Sequence, residues 1–402
     1  MTLSTPVLSC PFQHTDALEF DPLLDRLRVE APIARIRMPF GEGDAWLVTS
    51  HQDVRTVTTD RRFSRAAVIG QDFPRMTPDP IAQSESINLM DPPAHSRLRR
   101  LVAKGFNNRH VEQMRPKTQR IVDAMLDEMT EHGGPADAVE FLAARLPLMT
   151  ICEMLAVPED DRPRLRRWAM AMMSTGTRDR EAAAEGKAGL RAYFAELTAL
   201  RRREPGDDLL STLAQARVGE EFLDEQEVAV MGMLLLVTGH DTSTYEISNI
   251  VYTLLTRPDQ LAKLRARPER LPQAIEELLR FIPFRQGVGI PRIATEDVEI
   301  GGLTVRAGET VHVSYLTANR DEDVFERPEE LDLDREAAAS HMTFGYGTHH
   351  CLGAHLARME LQVAIGTLFT RFPELRLAVP LDQVRWDNGS IWRYPQALPV
   401  SW

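Results

Sequence analysis

The residues best suited to chemistry lie in segment 341–358, HMTFGYGTHHCLGAHLAR, a glycine-rich stretch that leads into an apolar helical pattern. Gly345, Gly347 and Gly353 permit backbone conformations and close approaches that larger residues resist. Cys351 stands where the helix is predicted to begin, and the unpaired N–H groups at a helix start favour a thiolate over a thiol. A thiolate held in this way is a metal ligand or a nucleophile.

The residues alone leave other interpretations of this cysteine open. A lone cysteine at a loop–helix junction is most often a small, partly buried side chain. A zinc site formed by His349, His350 and Cys351 would lack a CxxC pair and the fourth ligand that structural zinc needs. A nucleophile would need a base and oxyanion donors, and the segment contains no nucleophile elbow.

The segment also contains, without insertion, the pattern F-G-x-G-x-H-x-C-L-G-x-x-L-A-R, which resembles the haem-binding signature of the cytochrome P450 superfamily. The resemblance implies that Cys351 is the axial thiolate of haem iron, that His349 hydrogen-bonds a propionate, and that Phe344 packs beside the sulfur. Gly353 is expected among the cofactor-binding residues. The resemblance also implies haem b (iron protoporphyrin IX) as the cofactor and O2 as cosubstrate. A thiolate ligand suits this chemistry because it favours O–O cleavage.

A second polar patch, TGHDTST at 238–244, interrupts the apolar helical stretch 224–257. Polar groups in a buried helix cost free energy unless they are paired. The hydroxyls either bond back to carbonyls of the preceding turn or line a hydrated notch where an acid and an alcohol relay protons. The patch resembles the superfamily's oxygen-activation motif A-G-x-[DE]-T-[TS], with Thr238 replacing the usual Ala. The resemblance implies that Asp241 and Thr242 manage proton delivery.

His95 and Arg99 are spaced to share one face of a predicted helix. This spacing fits either a solvated basic helix end or two partners of haem propionates. The resemblance favours the propionates and adds Arg292 as a third partner, since arginine suits carboxylate recognition.

Glu277 and Arg280 resemble the structural E-x-x-R ion pair of the superfamily, whose role is fold integrity. The spacing alone is weak evidence, because Glu112 and Arg115 repeat it. The resemblance also predicts a mainly apolar substrate pocket. Its candidate residues are Leu235, Thr238, Val288, Gly289, Ile290, Ile391 and Trp392.

The composition restricts the environment and the partners. A net charge of -12 argues against nucleic-acid binding, which requires a basic face. The three cysteines are widely spaced, which argues against a disulfide framework and favours a reducing cytoplasm. The longest apolar run, 228–237, is about half of the ~20 residues needed to span a membrane. We therefore expect a soluble, cytoplasmic protein.

Helical periodicity dominates from residue 111 to 203, and Asp224 with Glu227 has the pattern of a capping box at the start of the stretch 224–257. Residues 34–38 and 45–49 are predicted as strands of a hairpin around Gly41 and Gly43, 298–312 as hairpins and 375–402 as terminal strands. Residues 65–89 are predicted as a long loop. The resemblance extends over nearly the whole chain. It predicts a single domain, 1–402, that is mainly α with a smaller β-rich lobe (α+β). In this fold a long central helix lies over the haem and the cysteine loop lies beneath it.

The resemblance implies a haem-thiolate monooxygenase of specialised metabolism that hydroxylates a small, mainly apolar molecule. The sequence shows no flavin or nicotinamide domain, so electrons are expected from a ferredoxin and its reductase. A candidate docking face for this carrier comprises Arg97, Arg100, Lys104 and Arg109. One alternative is oxidative C–C or C–O coupling of aromatic or peptidic substrates. Another is a non-catalytic haem-thiolate sensor, which has no need of the acid–alcohol patch.

Overall fold

A computed structural model describes residues 7–9, 16–77, 85–103, 105–106, 108–173, 180–285, 288–387 and 391–402. The backbone divides into two units, which we treat separately. The first unit comprises residues 1–95, 276–351 and 391–393, and the second comprises 96–275, 352–390 and 394–402. The single-domain interpretation stays a prediction.

Helices predominate in the described residues, and the strands are short. The helices are α1 Pro22–Glu30, α2 His51–Thr59, α3 Ala94–Val102, α4 Asn108–His132, α5 Leu146–Met154, α6 Arg162–Met173, α7 Arg180–Arg203, α8 Leu209–Gln215, α9 Glu225–Leu255, α10 Pro258–Ala266, α11 Leu271–Phe281, α12 Tyr315–Ala318 and α13 Ala354–Arg371. The strands are β1 Val7–Ser9, β2 Ile33–Arg37, β3 Ala45–Val48, β4 Phe63–Ser64, β5 Ala136–Asp137, β6 Arg217–Val218, β7 Glu221–Phe222, β8 Arg292–Ala294, β9 Val298–Ile300, β10 Leu303–Val305, β11 Thr310–Val313, β12 Arg376–Leu377 and β13 Pro399–Ser401. The predicted mainly α class with a smaller β portion is confirmed.

The first unit contains a six-stranded mixed sheet in the order β1-β2-β3-β11-β8-β4. Strands β2 and β3 form the predicted antiparallel hairpin, whose turn uses Gly41 and Gly43 at φ 84 and 81°. Strand β11 runs parallel to β3 and antiparallel to β8. Ile36, Leu47 and Val311 are completely buried, so the sheet is a rigid base for the loops around it.

The second unit is built around α9, whose 31 residues make it the longest helix described. Asp224 caps its start and forms the predicted capping box with Glu227: each side chain accepts a hydrogen bond from the other residue's backbone N–H. Contacts with α5, α7 and α13 bury most of its surface. None of the described helices combines the length and apolar character needed to cross a bilayer.

Two segments differ from their predictions. The predicted loop 65–89 contains two short 3-10 turns, Ala66–Val68 and Ile87–Leu89, on either side of residues 78–84, which lie outside the described residues. The described part of the terminal segment 375–402, predicted as strands, forms β12, β13 and an isolated bridge between Trp386 and Pro395. Prolines at 380, 395 and 399 explain the shortfall in part, because Pro395 and Pro399 cannot donate to a ladder.

Candidate functional site

The loop that carries Cys351 is folded by its own backbone. Cys351 N–H donates to Phe344 O at 2.8 Å, and His350 N–H donates to Gly347 O at 3.0 Å. Gly345 and Gly347 adopt φ of 75 and 71°. A Cβ atom at residue 347 would lie 2.7 Å from the backbone oxygen of Thr58, so the close approach requires glycine.

Cys351 lies just before α13, whose N-cap is Gly353. The predicted position at a helix start is therefore confirmed. The cysteine is exposed, whereas Cys152 is completely buried, and burial raises the pKa of Cys152 to about 12. An exposed sulfur before a helix N-terminus is the better thiolate of the two.

Asn319 supports this loop within the first unit. Its side-chain oxygen accepts from Met342 N–H at 2.6 Å, and its amide donates to Thr343 Oγ1 at 2.9 Å. Thr343 Oγ1 donates in turn to the carbonyl of Leu279 at 2.6 Å. The loop is thus tied to the end of α11.

A buried charge network continues from there. Glu277 accepts from Arg280 Nε and Nη2 at 2.8 Å each and from Arg335 Nε at 3.0 Å. Arg280 Nη1 donates to the carbonyls of Asn319 at 3.0 Å and Pro328 at 2.7 Å. The side chains of Glu277 and Arg280 are 0% exposed. The third member of the network, Arg335, was not identified as a partner of Glu277 from the sequence.

Three of the predicted propionate partners lie in the first unit. The rings of His95 and His349 lie 4.3 Å apart between centroids. Arg292 is 2% exposed, and its Nη1 and Nη2 have no hydrogen-bond acceptor among the described residues. A buried, unpaired guanidinium is costly, so an anionic group is expected beside it. The carboxylates of haem fit that requirement. Arg99, the fourth predicted partner, lies on α3 in the second unit.

The predicted docking arginines are partly neutralised. Arg97 Nη1 pairs with Glu227 at 2.6 Å, and Arg100 Nη2 pairs with Glu221 at 2.6 Å. Lys104 lies outside the described residues. Two of the four predicted cations therefore have carboxylate partners within the second unit.

The polar patch of α9 does not interrupt the helix. Thr238 Oγ1 donates to Leu234 O at 2.8 Å, and Thr242 Oγ1 donates to Thr238 O at 3.2 Å. The hydroxyls thus bond back to the preceding turn, which was one of the two open interpretations. Thr238 is exposed and Thr242 is half-buried.

Asp241 is 8% exposed, and the Nδ1 atom of His240 lies 3.0 Å from its Oδ1 atom. The other ring nitrogen of His240, Nε2, lies 3.4 Å from the carbonyl of Ala144. Leu235, a predicted pocket residue, is buried in the same helix. Asp241 and Thr242 thus place an acid and an alcohol at adjacent positions of α9.

Two buried carboxyls of the second unit were missed. Glu360 on α13 is 1% exposed, and burial raises its pKa to about 8, an increase that the nearby Ser243 and Thr150 side chains reduce. Glu246 on α9 is 6% exposed, its pKa is raised well above its usual range by burial, and neither carboxyl oxygen has a partner in the described part of the chain. In the sequence, each of these glutamates could have been recognised as a single acidic residue within an apolar helical pattern.

The predicted pocket residues of the first unit separate into two groups. Ile391 and Trp392 are buried at 7 and 9% exposure, and Gly289 lies near Arg285 and Tyr315. By contrast, Val288 belongs to the apolar core with Ile36 and Leu47. Ile290 packs against the small apolar cluster of Val68, Phe73, Leu89 and Ile293.

Arg285 is a candidate binding residue that the sequence did not reveal. Its guanidinium lies 4.7 Å from the centre of the Trp392 ring, which also stacks on Phe284. Burial lowers the pKa of Arg285 to about 10, and its buried Nε has no acceptor among the described residues. The side chain remains charged at neutral pH and can receive an acidic or electron-rich group.

The zinc alternative gains no support. Among the described residues, no group of three His, Cys, Asp or Glu side chains is placed to hold a metal ion. One sulfur ligand on an exposed loop and the buried Arg292 guanidinium, whose Nη atoms have no acceptor among the described residues, fit a porphyrin with its iron and carboxylates better.

Comparison with known proteins agrees with this chemistry. A family model described as Cytochrome P450 matches residues 174–384. The chain is 49% identical to nocardicin C N-oxygenase of Nocardia uniformis subsp. tsuyamanensis over 99% of both chains. It is 40% identical to biflaviolin synthase of Streptomyces coelicolor, covering 99% of this chain and 97% of that one. It is also similar to the crystal structure of a cytochrome P450mel with biaryl coupling reactivity, at 65% identity and a TM-score of 0.94, covering 99% of this chain and 100% of that one.

Proposed function

Because the chain belongs to the cytochrome P450 family, we propose that it couples phenolic aromatic substrates oxidatively and forms a biaryl C–C bond. It is a P450 oxidoreductase of bacterial secondary metabolism that binds haem b and uses O2 as cosubstrate. The observation that carries the coupling proposal is the 65% identity, over almost the full length, to a protein with biaryl coupling reactivity. The biflaviolin synthase relative supports the same product class.

Arg285 and Trp392 support a phenolic substrate. A phenol has a π face that stacks on an aromatic side chain and an acidic hydroxyl that a guanidinium can hydrogen-bond. Arg285 lies over the Trp392 ring with an unpaired buried Nε among the described residues. A purely apolar substrate would leave the buried Nε without an acceptor, at a cost in free energy.

The protein's own side chains have separate roles in this proposal. Cys351 ligates the iron, and His349, Phe344 and Gly353 belong to its surroundings. The propionate carboxylates are received by His95, Arg99, Arg292 and His349. When bound, haem supplies the oxidising power, and the thiolate increases electron density at iron.

Asp241 and Thr242 hold and pass the protons that O2 reduction consumes. An acid beside an alcohol can do so through short hydrogen-bonded steps. Coupling removes one hydrogen from each of two phenols, and O2 with two electrons and two protons leaves as two waters. Proton supply is therefore needed even though no oxygen enters the product.

Hydroxylation of a small molecule is the second candidate. The nocardicin C N-oxygenase relative, at 49% identity, is named for oxygen insertion, and the Asp241–Thr242 pair is the kind that insertion uses. A non-catalytic sensor would not need that pair. The family takes electrons from a redox partner, and we propose a ferredoxin and ferredoxin reductase for this chain.

The test supplies the purified holoprotein with ferredoxin, reductase, NADPH, 2-naphthol and ¹⁸O-labelled O2. We expect a product with the mass of two substrates minus two hydrogens and no label. A product with the mass of one substrate plus one labelled oxygen would contradict coupling and support hydroxylation.

The substrate role of Arg285 has its own test. Arg285→Leu should raise the KM for 2-naphthol by about tenfold or more, since a hydrogen bond to a charged group contributes roughly 1.5–3 kcal/mol. Arg285→Lys should restore part of the loss. Arg306→Leu is the control, because Arg306 pairs with Asp297 on the surface. An unchanged KM in Arg285→Leu would remove this residue from substrate recognition.

A further inference from the structure

A short ladder in the second unit faces α9. Asp387 N–H donates to Tyr394 O at 3.1 Å, and Gln396 N–H donates to Arg385 O at 2.8 Å. Trp386 and Pro395 form the antiparallel bridge between these bonds. The ladder therefore holds Asp387 and Tyr394 opposite one another.

Two aromatic pairs attach this ladder to α9. Tyr394 stacks on Tyr245, with ring centroids 4.1 Å apart and planes at 24°. Trp386 meets Tyr252 edge to face at 4.9 Å and 89°. Tyr245 and Tyr252 lie two turns apart on the helix. The two contacts fix the position of the ladder along α9.

The hydroxyls of the stacked pair form a hydrogen-bonded chain. Tyr245 O–H donates to Tyr394, and Tyr394 O–H donates to the carboxylate of Asp387. Burial, with the charges of Asp387 and Asp241, raises the pKa of Tyr394 to about 12. Burial and the charge of Asp241 also raise the pKa of Tyr245. Both tyrosines therefore keep a proton at neutral pH, so each can donate and accept.

The inner end of this series of proton-carrying side chains is Asp241. It precedes Tyr245 by one helical turn, a spacing that places two side chains on the same face. His240, the other neighbour of Asp241, is 3% exposed and its far nitrogen meets the carbonyl of Ala144. A backbone carbonyl cannot pass a proton onward, so that side is closed. Asp387, at the outer end, is half-buried and reaches the surface.

We infer that Asp387, Tyr394 and Tyr245 form a proton path that reloads Asp241 from solvent. A proton enters on the Asp387 carboxyl and passes to the oxygen of Tyr394. Tyr394 gives its own hydroxyl proton to Tyr245, and Tyr245 gives its proton to Asp241. Before this transfer the two hydroxyls rotate from their resting direction toward Asp387 to point inward, and after it each O–H points toward Asp387 again. No electron moves. The inference rests on the proposed proton role of Asp241 and not on which product the enzyme forms.

The test uses Tyr245→Phe and Tyr394→Phe, which keep the stacked rings and remove one hydroxyl each. A positioned proton donor contributes about 10²–10⁴-fold to rate. These residues act one step further away, so we expect the rate of NADPH consumption with 2-naphthol to fall roughly tenfold. The solvent deuterium isotope effect on that rate should rise above the wild-type value, since proton supply becomes limiting.

Tyr252→Phe is the matched control on the same helix and ladder, and it should match wild type in rate and isotope effect. Haem content should be equal in all three variants, because the aromatic packing is retained, and the unfolding midpoints should agree within about 2 °C, since a lost hydrogen bond costs about 0.5–1.5 kcal/mol. In the haem-containing protein without substrate, the infrared carboxyl band assigned with Asp241→Asn should shift in Tyr245→Phe. It should not shift in Tyr252→Phe.

Two results would overturn the inference, and they are distinguishable. If Asp241→Asn is slow while both tyrosine variants keep the wild-type rate and isotope effect, Asp241 is reloaded by another route. If Asp241→Asn itself has the wild-type rate, the proposed proton role of Asp241 fails, and the path ending there fails with it.

Discussion

Removing the carboxylate of Glu277 tests the link between the buried charge network and cofactor retention. This side chain accepts hydrogen bonds from Arg280 at 2.8 Å and from Arg335 and the backbone N–H of Asp332 at 3.0 Å. Glu277→Ala would leave two guanidiniums without their counter-ion, although Arg280 would retain carbonyl partners such as that of Pro328.

The expected magnitude follows from burial. Removing one partner of a fully buried ion pair costs about 3–5 kcal/mol. With an unfolding entropy of roughly 2.1 cal/mol/K per residue over 402 residues, this loss lowers the unfolding midpoint by about 4–6 °C. Because Arg280 also holds Asn319, which holds the cysteine loop at Met342, we expect lower haem retention as well.

The assay compares holoprotein yield, unfolding midpoint and turnover per bound haem. Yield and midpoint should fall in Glu277→Ala, whereas turnover per haem stays near wild type. Glu112→Ala is the matched control, since Glu112 and Arg115 have the same spacing but side chains 47 and 36% exposed. An exposed pair contributes about 0–1 kcal/mol. If Glu277→Ala resembles Glu112→Ala, or loses turnover per haem with normal yield, the structural role is refuted.

Two further predictions concern proton handling and pH. Thr242→Ala removes the hydroxyl that donates to Thr238 O at 3.2 Å. Reductant should be diverted to hydrogen peroxide, and product per NADPH should fall by roughly tenfold. Thr242→Ser should restore the yield of product per NADPH. An unchanged yield in Thr242→Ala would exclude the proton role of Thr242. Burial lowers the pKa of His312 from 6.5 to about 4, so the unfolded chain binds more protons between those values. Stability should therefore fall as pH drops from 6.5 to 4, by up to about 3 kcal/mol, and His312→Gln should flatten this part of the stability profile in denaturant titrations; an unchanged profile would contradict it.

Local sequence patterns predicted much of this structure. The capping box at Asp224 specifies the start of α9 because both partners lie within one turn. The glycines of the cysteine loop were recognisable since only glycine meets its backbone and packing needs. Spacing alone could not distinguish the Glu277–Arg280 pair from the Glu112–Arg115 pair. The structure distinguishes them by burial, since only the first pair is buried.

What the sequence did not predict depends on contacts between distant segments. Tyr245 and Tyr394 meet only because the terminal ladder packs on α9, and neither residue has a distinctive local pattern. Arg285 resembled an ordinary polar residue until its position over Trp392 was seen. The hydroxyls of the α9 patch showed the opposite case, since their bonds to the preceding turn are local and could be anticipated.

The central claim is that the sulfur of Cys351 ligates the haem iron. The most direct measurement is the absorption spectrum of the reduced carbon monoxide complex in Cys351→Ser. Cys152→Ala is the matched cysteine control because Cys152 is buried. The account predicts that the thiolate-type band disappears in Cys351→Ser and persists in Cys152→Ala. A thiolate-type band that survives in Cys351→Ser would contradict it.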